Sequence, residues 1–324
     1  MSTTEFAQVG AEQASGVTGE GFARWPLVRK VALGLYFVAL VLWSAQNGIP
    51  VQRELVVLWT LGALVCVSLG RPPRQVLQLV VDWAPMMIIL AAYDFTRGAA
   101  DNLGIGTHYH PMIDFDKAVF LGETPSEWLQ AHLYDPQALS AWNVLFTLVY
   151  TSYFIVPFAL AGYLWARDRL AFLRWIKRMV SLGLAGLSTY ILFPAAPPWL
   201  AAEMGMLHGV DRTTSKGWEI LGVGTAGLFE DSQEKVNLVA AVPSLHSGFC
   251  MLVALFIWPR GKRRALRPLV LLYPLVMGIT LMATGEHYFF DVALGWCYAG
   301  AVMAAWGAWE RLRGREPMRA PDTA

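Results

Sequence analysis

Charge is scarce in this chain of 324 residues: Asp, Glu, Lys and Arg together make up 15%, against roughly 25% in soluble domains. That scarcity excludes an ordinary water-soluble globule. A net charge of +1 leaves no basic surplus for a nucleic acid and no acidic surplus for a basic partner. Only three cysteines occur, Cys66, Cys250 and Cys297, each inside an apolar stretch. Neither a disulfide framework nor a thiolate metal site is indicated, and they read as small apolar fillers. Met1 to Glu20 hold neither an apolar run nor a basic n-region, so no cleavable signal is expected there. Gly-rich phosphate loops, Cys-x-x-Cys pairs and Gly-x-Ser-x-Gly elbows are also missing, which removes several soluble enzyme classes.

What is abundant is apolar and aromatic surface: 56% apolar residues, with 14 Trp, 11 Tyr and 16 Phe, and a mean hydropathy of +0.43. Such rings gather at membrane interfaces. Apolar segments fall at roughly 31–45, 55–69, 76–95, 139–166, 173–193, 242–258, 268–284 and 288–309. A membrane-spanning helix needs about 20 residues, so the first two are short unless flanking Arg29, Lys30 and Arg71 snorkel. Threading eight helices with the N-terminus inside puts all but six of the 25 basic residues on the cytoplasmic side, as the positive-inside rule requires. The six outside are Arg53, Arg97, Lys117, Arg212, Lys216 and Lys235. The expected fold is therefore an all-α polytopic membrane helical bundle of about eight transmembrane helices with both termini cytoplasmic. It divides into a disordered tail (1–24), a membrane domain (25–312) with a catalytic core at about 76–310, and a second tail (313–324).

Two long loops, about 96–138 and 194–241, lie outside in this threading. Within the first, Thr124-Pro125-Ser126-Glu127 has the form of a capping box and predicts a short helix, lying on the bilayer or packed on the loop itself. His108-Tyr109-His110, with Asp114 and Asp116 behind, offers metal-type ligands at a spacing that matches no zinc signature. Metal binding and loop hydrogen bonding both remain readings of it. Asp82, before Pro85, is expected to cap a helix break at that proline.

Four clusters of unusual residues sit at the outer ends of spans: Tyr93 to Gly98, Phe193 to Trp199, Val242 to Gly248 and Gly285 to Val292. In the last, His287 and Asp291 are four apart, so on a helix the carboxylate reaches the imidazole and fixes its tautomer. That arrangement makes a nucleophile or a base, or a hydrogen-bonded pair tying two helices. In the third cluster Pro243 and Ser244 suit a helix start, and His246 sits where it can donate a proton. The helices that follow both clusters run inward, so their N-termini are expected to converge on an anion. Arg97 is an outer cation for a phosphate oxygen or a partner for Asp94, and Lys117 is a further candidate.

Pro243-Ser244-Leu245-His246-Ser247-Gly248 and His287-x-x-x-Asp291 resemble the Pro-Ser-x-His and His-x-x-x-Asp motifs of the type 2 phosphatidic acid phosphatase superfamily. With Phe193-Pro-Ala-Ala-Pro-Pro-Trp199, the wording is most similar to the inositol phosphorylceramide synthase branch of inositolphosphotransferases. The resemblance implies a six-helix core in the cell membrane and an extracytoplasmic active site without metal or cofactor. It also implies a lipid phosphate substrate and a phosphohistidine on His287. Asp291 would orient His287, His246 would act as acid and base, and Ser244, Arg97 and Lys117 would hold phosphate. Hydrolysis or transfer then depends on whether the acceptor is water or an alcohol. The chain departs from the phosphatases in lacking a Lys-x6-Arg-Pro motif and in carrying Thr280-Leu281 where they have Ser-Arg. A non-enzymatic lipid transporter or scramblase is the alternative, and the oligomeric state is left open.

Overall fold

Each of the eight apolar segments lies on a helix in the computed structural model, which describes residues 26–47, 53–102, 105–138, 140–221, 238–260 and 264–314. In chain order the helices are α1 (Leu27–Asn47), α2 (Arg53–Ser68), α3 (Pro73–Asn102), α4 (His110–Val119), α5 (Pro125–Leu133), α6 (Ala141–Arg167), α7 (Arg169–Leu192), α8 (Pro198–Glu203), α9 (Lys216–Ile220), α10 (Leu245–Ile257), α11 (Leu272–Ala283) and α12 (Phe289–Leu312). A 3-10 turn over Arg264–Leu271 leads into α11. Among the described residues there is no strand, only the isolated bridges His108 to Ala195 and Ala195 to Ala240. The expected tails lie outside the described residues apart from Arg313 and Gly314, and so does Lys235.

Among the described residues, four stretches are long and apolar enough to cross a membrane: Leu27–Asn47, Ala141–Trp165, Ala265–Ala283 and Phe289–Leu312. The first segment is thus a helix of 21 residues, longer than its apolar run. Leu35 and Val41 on α1 are each 65% exposed, an outward apolar face that water does not tolerate and lipid does. The chain is a multi-pass membrane protein.

Trp83 of α3, Phe172, Trp175 and Leu182 of α7, and Leu252 and Phe256 of α10 are buried together at the centre of the bundle. Close packing at interior density keeps these helices in fixed register. At one end, Arg178 on α7 donates from Nη1 and Nη2 to the two carboxylate oxygens of Glu310 on α12, both at 3.0 Å. The expectation for Asp82 is corrected. Helix α3 runs on through Pro85, and Asp82 accepts from Arg169 Nη2 at 2.7 Å and from Trp165 Nε1 at 3.4 Å. A carboxylate buried among apolar side chains needs a cation more than a helix end needs a cap.

Helices α4, α5 and α8, with the loops around them, form a cap beside the N-terminal ends of α10 and α12. Its own apolar cluster includes Met112, Ile113, Ala201, Leu207, Val242 and Tyr288. The capping box of α5 forms as expected: Glu127 accepts the Thr124 N–H at 3.1 Å, and Thr124 Oγ1 accepts the Glu127 N–H at 3.3 Å.

Candidate active site

Backbone contact between α10 and α12 builds the site. The Ser244 N–H donates to the Asp291 carbonyl at 3.0 Å, and Ser247 Oγ donates to the Val292 carbonyl at 3.0 Å. Gly295 permits this approach, since a Cβ there would lie 2.3 Å from the Ser244 carbonyl oxygen. The two motifs are thus held against each other by one main-chain hydrogen bond and one from a buried serine hydroxyl.

His287 and Asp291 are buried at the start of α12. Asp291 Oδ2 faces His287 Nδ1 at 3.3 Å and accepts the Tyr288 N–H at 3.0 Å. The carboxylate favours a proton on Nδ1, leaving the lone pair on Nε2. The His246 ring, on the second residue of α10, lies 5.7 Å from that of His287. It is flanked by Tyr150 at 4.8 Å and Tyr153 at 4.2 Å from α6. His246 Nε2 is buried with no hydrogen-bond partner, an unsatisfied polar atom at the centre of the site. The structure brings together His246, His287, Asp291 and Ser244.

The two helix ends do not converge as equals, which corrects the expectation from sequence. Asp116 on α4, fully buried, accepts the N–H groups of Phe289 at 2.9 Å and Phe290 at 3.0 Å, closing the end of α12. Burial pushes the Asp116 carboxyl up, the two N–H groups pull it down and Asp291 raises it further, leaving it at about 6. On α10, by contrast, the Leu245 and His246 N–H groups have no acceptor among the described residues. One N-terminus is therefore open to an anion. Ser244 caps that helix, its Oγ accepting the Ser247 N–H at 3.3 Å, so its hydroxyl proton is what remains for an incoming ligand.

The expected cations fare differently. Arg97 lies on α3, and its side chain is outside the described residues. Lys117 lines an open groove of about 620 Å³ with Glu123, Glu127, Gln130 and Asp211. Its charge acts on Glu127, whose carboxyl is raised by burial but held below its usual range by hydrogen bonds from Thr124 and His208 and by Lys117. The cluster Phe193 to Trp199 does join the site, since the Trp199 N–H donates to the Gly285 carbonyl at 3.0 Å. His108 takes the loop role: its ring stacks on Phe193 at 4.1 Å and its N–H donates to the Pro194 carbonyl at 2.9 Å. Among the described residues no group of three or more His, Cys, Asp or Glu is arranged to hold a metal ion.

Two residues at the site escaped the sequence reading: Asp116 as the cap of α12, and Arg212. The Arg212 guanidinium binds Glu286, with Nε to Oε1 at 2.8 Å and Nη2 to Oε2 at 3.3 Å, immediately before His287. The signal was Glu286 itself, a carboxylate between an apolar helix and the motif histidine, which requires a cation when buried.

A family model described as "PAP2 superfamily" matches residues 110–305. The chain belongs to the PAP2 superfamily. Within that superfamily it is similar to the phosphoinositol dihydroceramide synthase of Bacteroides thetaiotaomicron, 29% identical over 249 residues covering 72% of this chain and 77% of the relative. That likeness places this PAP2 protein with the inositol phosphorylceramide synthase-like branch and supports a membrane enzyme of the lipid phosphatase or phosphotransferase type. No solved structure matches it. The matched range holds His246, His287, Asp291 and Arg212 and leaves out Arg97.

Proposed function

We propose that the chain transfers a phosphoryl or phospho-headgroup from a lipid-linked phosphate through a phosphohistidine on His287. The observation that carries this reading is the pairing of His287 with Asp291 at 3.3 Å, with the His246 ring 5.7 Å away. Nε2 of His287 attacks phosphorus in line. The N–P bond forms as the bond to the lipid oxygen breaks, and protonated His246 gives its proton to the departing alkoxide. In the second half His246 takes the proton of the acceptor hydroxyl, the new O–P bond forms and the N–P bond breaks. Asp291 steadies the charge that develops on His287. The open N–H groups of α10 and the Ser244 hydroxyl stabilise the equatorial oxygens.

The charge pattern of the loops supports eight crossings with both termini in the cytoplasm, and hence a site at the extracytoplasmic face of the cell membrane. The similarity to a phosphoinositol dihydroceramide synthase from Bacteroides thetaiotaomicron is the reason to count inositol-bearing phospholipids among the donors and a ceramide-type alcohol among the acceptors. The test is to incubate purified protein with phosphatidic acid, phosphatidylinositol and polyprenyl phosphates, with and without added inositol or ceramide. Hydrolysis yields free phosphate from phosphatidic acid or a polyprenyl phosphate and inositol phosphate from phosphatidylinositol; transfer yields a new phosphate ester of the added alcohol, a diester when phosphatidylinositol is the donor, only when that alcohol is present. A protein that only moves lipids across the bilayer would release neither, and that result would overturn the reading.

A further inference from the structure

The segment from Val210 to Ser215 lies in the cap, between α8 and α9. It is pinned to the turn before His287: the Thr213 N–H donates to the Thr284 carbonyl at 3.2 Å, and Gln130 Nε2 on α5 donates to the Asp211 carbonyl at 2.7 Å. Between these anchors sits Arg212. Its guanidinium lies 4.8 Å from the Trp199 ring, and Nε and Nη2 are taken by Glu286, whose Oε1 also accepts from Thr214 Oγ1 at 2.9 Å. An arginine held by a carboxylate on one edge and an aromatic face is pre-organised, so little rotamer freedom is left to lose on binding. Nη1 has no hydrogen-bond acceptor among the described residues, and it is not among the buried polar atoms lacking a partner. That edge of the fork is open. Arg212 is also close enough to His246 and Tyr150 for its charge to act on both.

We infer that Arg212 is a phosphate-binding residue of this site, its free Nη1 edge taking non-bridging phosphoryl oxygens while Glu286, Thr214 and Trp199 hold the guanidinium in place. This inference rests on the proposed reaction for its purpose, but not for its test, which reads binding without turnover. Glu286 and Thr214 are positioning residues that act through Arg212. The ligand chemistry is a tetrahedral phosphoryl group, whether free or carried by a lipid headgroup.

The experiment uses the full chain in detergent. Phenylglyoxal modification of Arg212, followed by peptide mass analysis, is run without ligand, with inorganic phosphate, and with phosphatidic acid in mixed micelles. Arg212 is expected to react alone and to be protected by both phosphoryl ligands, whereas inorganic sulfate-free chloride buffer gives no protection. Protection by the lipid alone assigns the site to headgroups; protection by neither overturns the inference. In parallel, the affinity of whichever phosphoryl ligand gives protection, inorganic phosphate or phosphatidic acid, is read by tryptophan fluorescence. A charged hydrogen bond of this kind predicts weakening of about 10- to 100-fold in Arg212→Gln, against a change under twofold in Lys216→Gln, whose partner is Glu219. Unchanged affinity in folded Arg212→Gln overturns the inference. If that variant does not fold, Arg212→Lys is measured, and equal affinity there together with no phenylglyoxal protection is the refuting result. Protection of Arg212 in a protein that turns over no lipid would leave this cation site standing and refute the proposed reaction.

Discussion

Gly295→Ala separates the geometry of the site from its chemistry, because the substitution adds one methyl group and removes no side chain that binds or reacts. The new Cβ would sit 2.3 Å from the Ser244 carbonyl oxygen and 2.5 Å from Ser247 Oγ. Carbon–oxygen contacts relax at well over 3 Å, so α10 and α12 must part by about 1 Å at this level. The obstructing atom is main chain at a helix cap and cannot rotate away. Overpacking of this sort costs about 1–3 kcal/mol, and a displacement of about 1 Å between catalytic groups costs on the order of 100-fold in rate. The expected result is a folded protein with a lowered thermal midpoint and a fall in kcat of about two orders of magnitude, assayed on whichever lipid phosphate the wild type turns over. Gly300→Ala on the same helix is the control. A Cβ there meets nothing within 4 Å, so its activity stays within twofold and the helix gains about 0.5–1 kcal/mol. Full activity and unchanged stability in Gly295→Ala would refute the claim that this glycine crossing sets the distance between the two motifs.

Asp116 supplies a pH signature. Its folded pKa of about 6 stands above the ordinary 3.8, so its protonated form favours the fold. That contribution is complete below about pH 4 and is lost as pH rises through 6, a cost of about 2–3 kcal/mol by pH 7. Asp116→Asn, which cannot ionise, should show a shallower decline of the thermal midpoint between pH 5 and 7; identical slopes would be evidence against this. Glu310→Ala strands Arg178, which is 1% exposed, and is expected to cost about 3–5 kcal/mol in chemical unfolding while kcat is spared. A double replacement by Met at 178 and Leu at 310 should recover most of that loss. His287→Ala should abolish turnover with every donor while the thermal midpoint stays within a few degrees of wild type.

The helices were legible because hydropathy is local: a run of apolar residues names its own segment, and all eight runs lie on helices. The proposed catalytic trio is legible for a similar reason. His287 and Asp291 share one turn, and Pro243 to Gly248 announces a helix start with its own cap. The remainder of the site comes from pairings that no local pattern carries. Asp116 reaches across 173 positions to Phe289, and Arg212 across 74 to Glu286. Burial explains both: each group is driven into the cap by its apolar neighbours and then needs an N–H pair or a carboxylate to satisfy its polar atoms. Two expectations failed because they stopped at one element. The local pattern ties Asp82 to its own helix whereas its cation is Arg169 on α7, and it leaves both helix N-termini free for an anion whereas Asp116 closes one of them.

A covalent bond between His287 and phosphorus is what the proposed reaction requires, and rapid quenching is the measurement that reads it. Purified wild-type protein is mixed with a donor labelled at phosphorus, stopped in alkali within one turnover and digested for peptide mapping. The expected result is an alkali-stable, acid-labile label on the peptide carrying His287, absent in His287→Ala and both formed and discharged more slowly in His246→Ala, which lacks the acid of the first step and the base of the second. A wild type that turns over donor while its His287 peptide stays unlabelled at every quench time would contradict it.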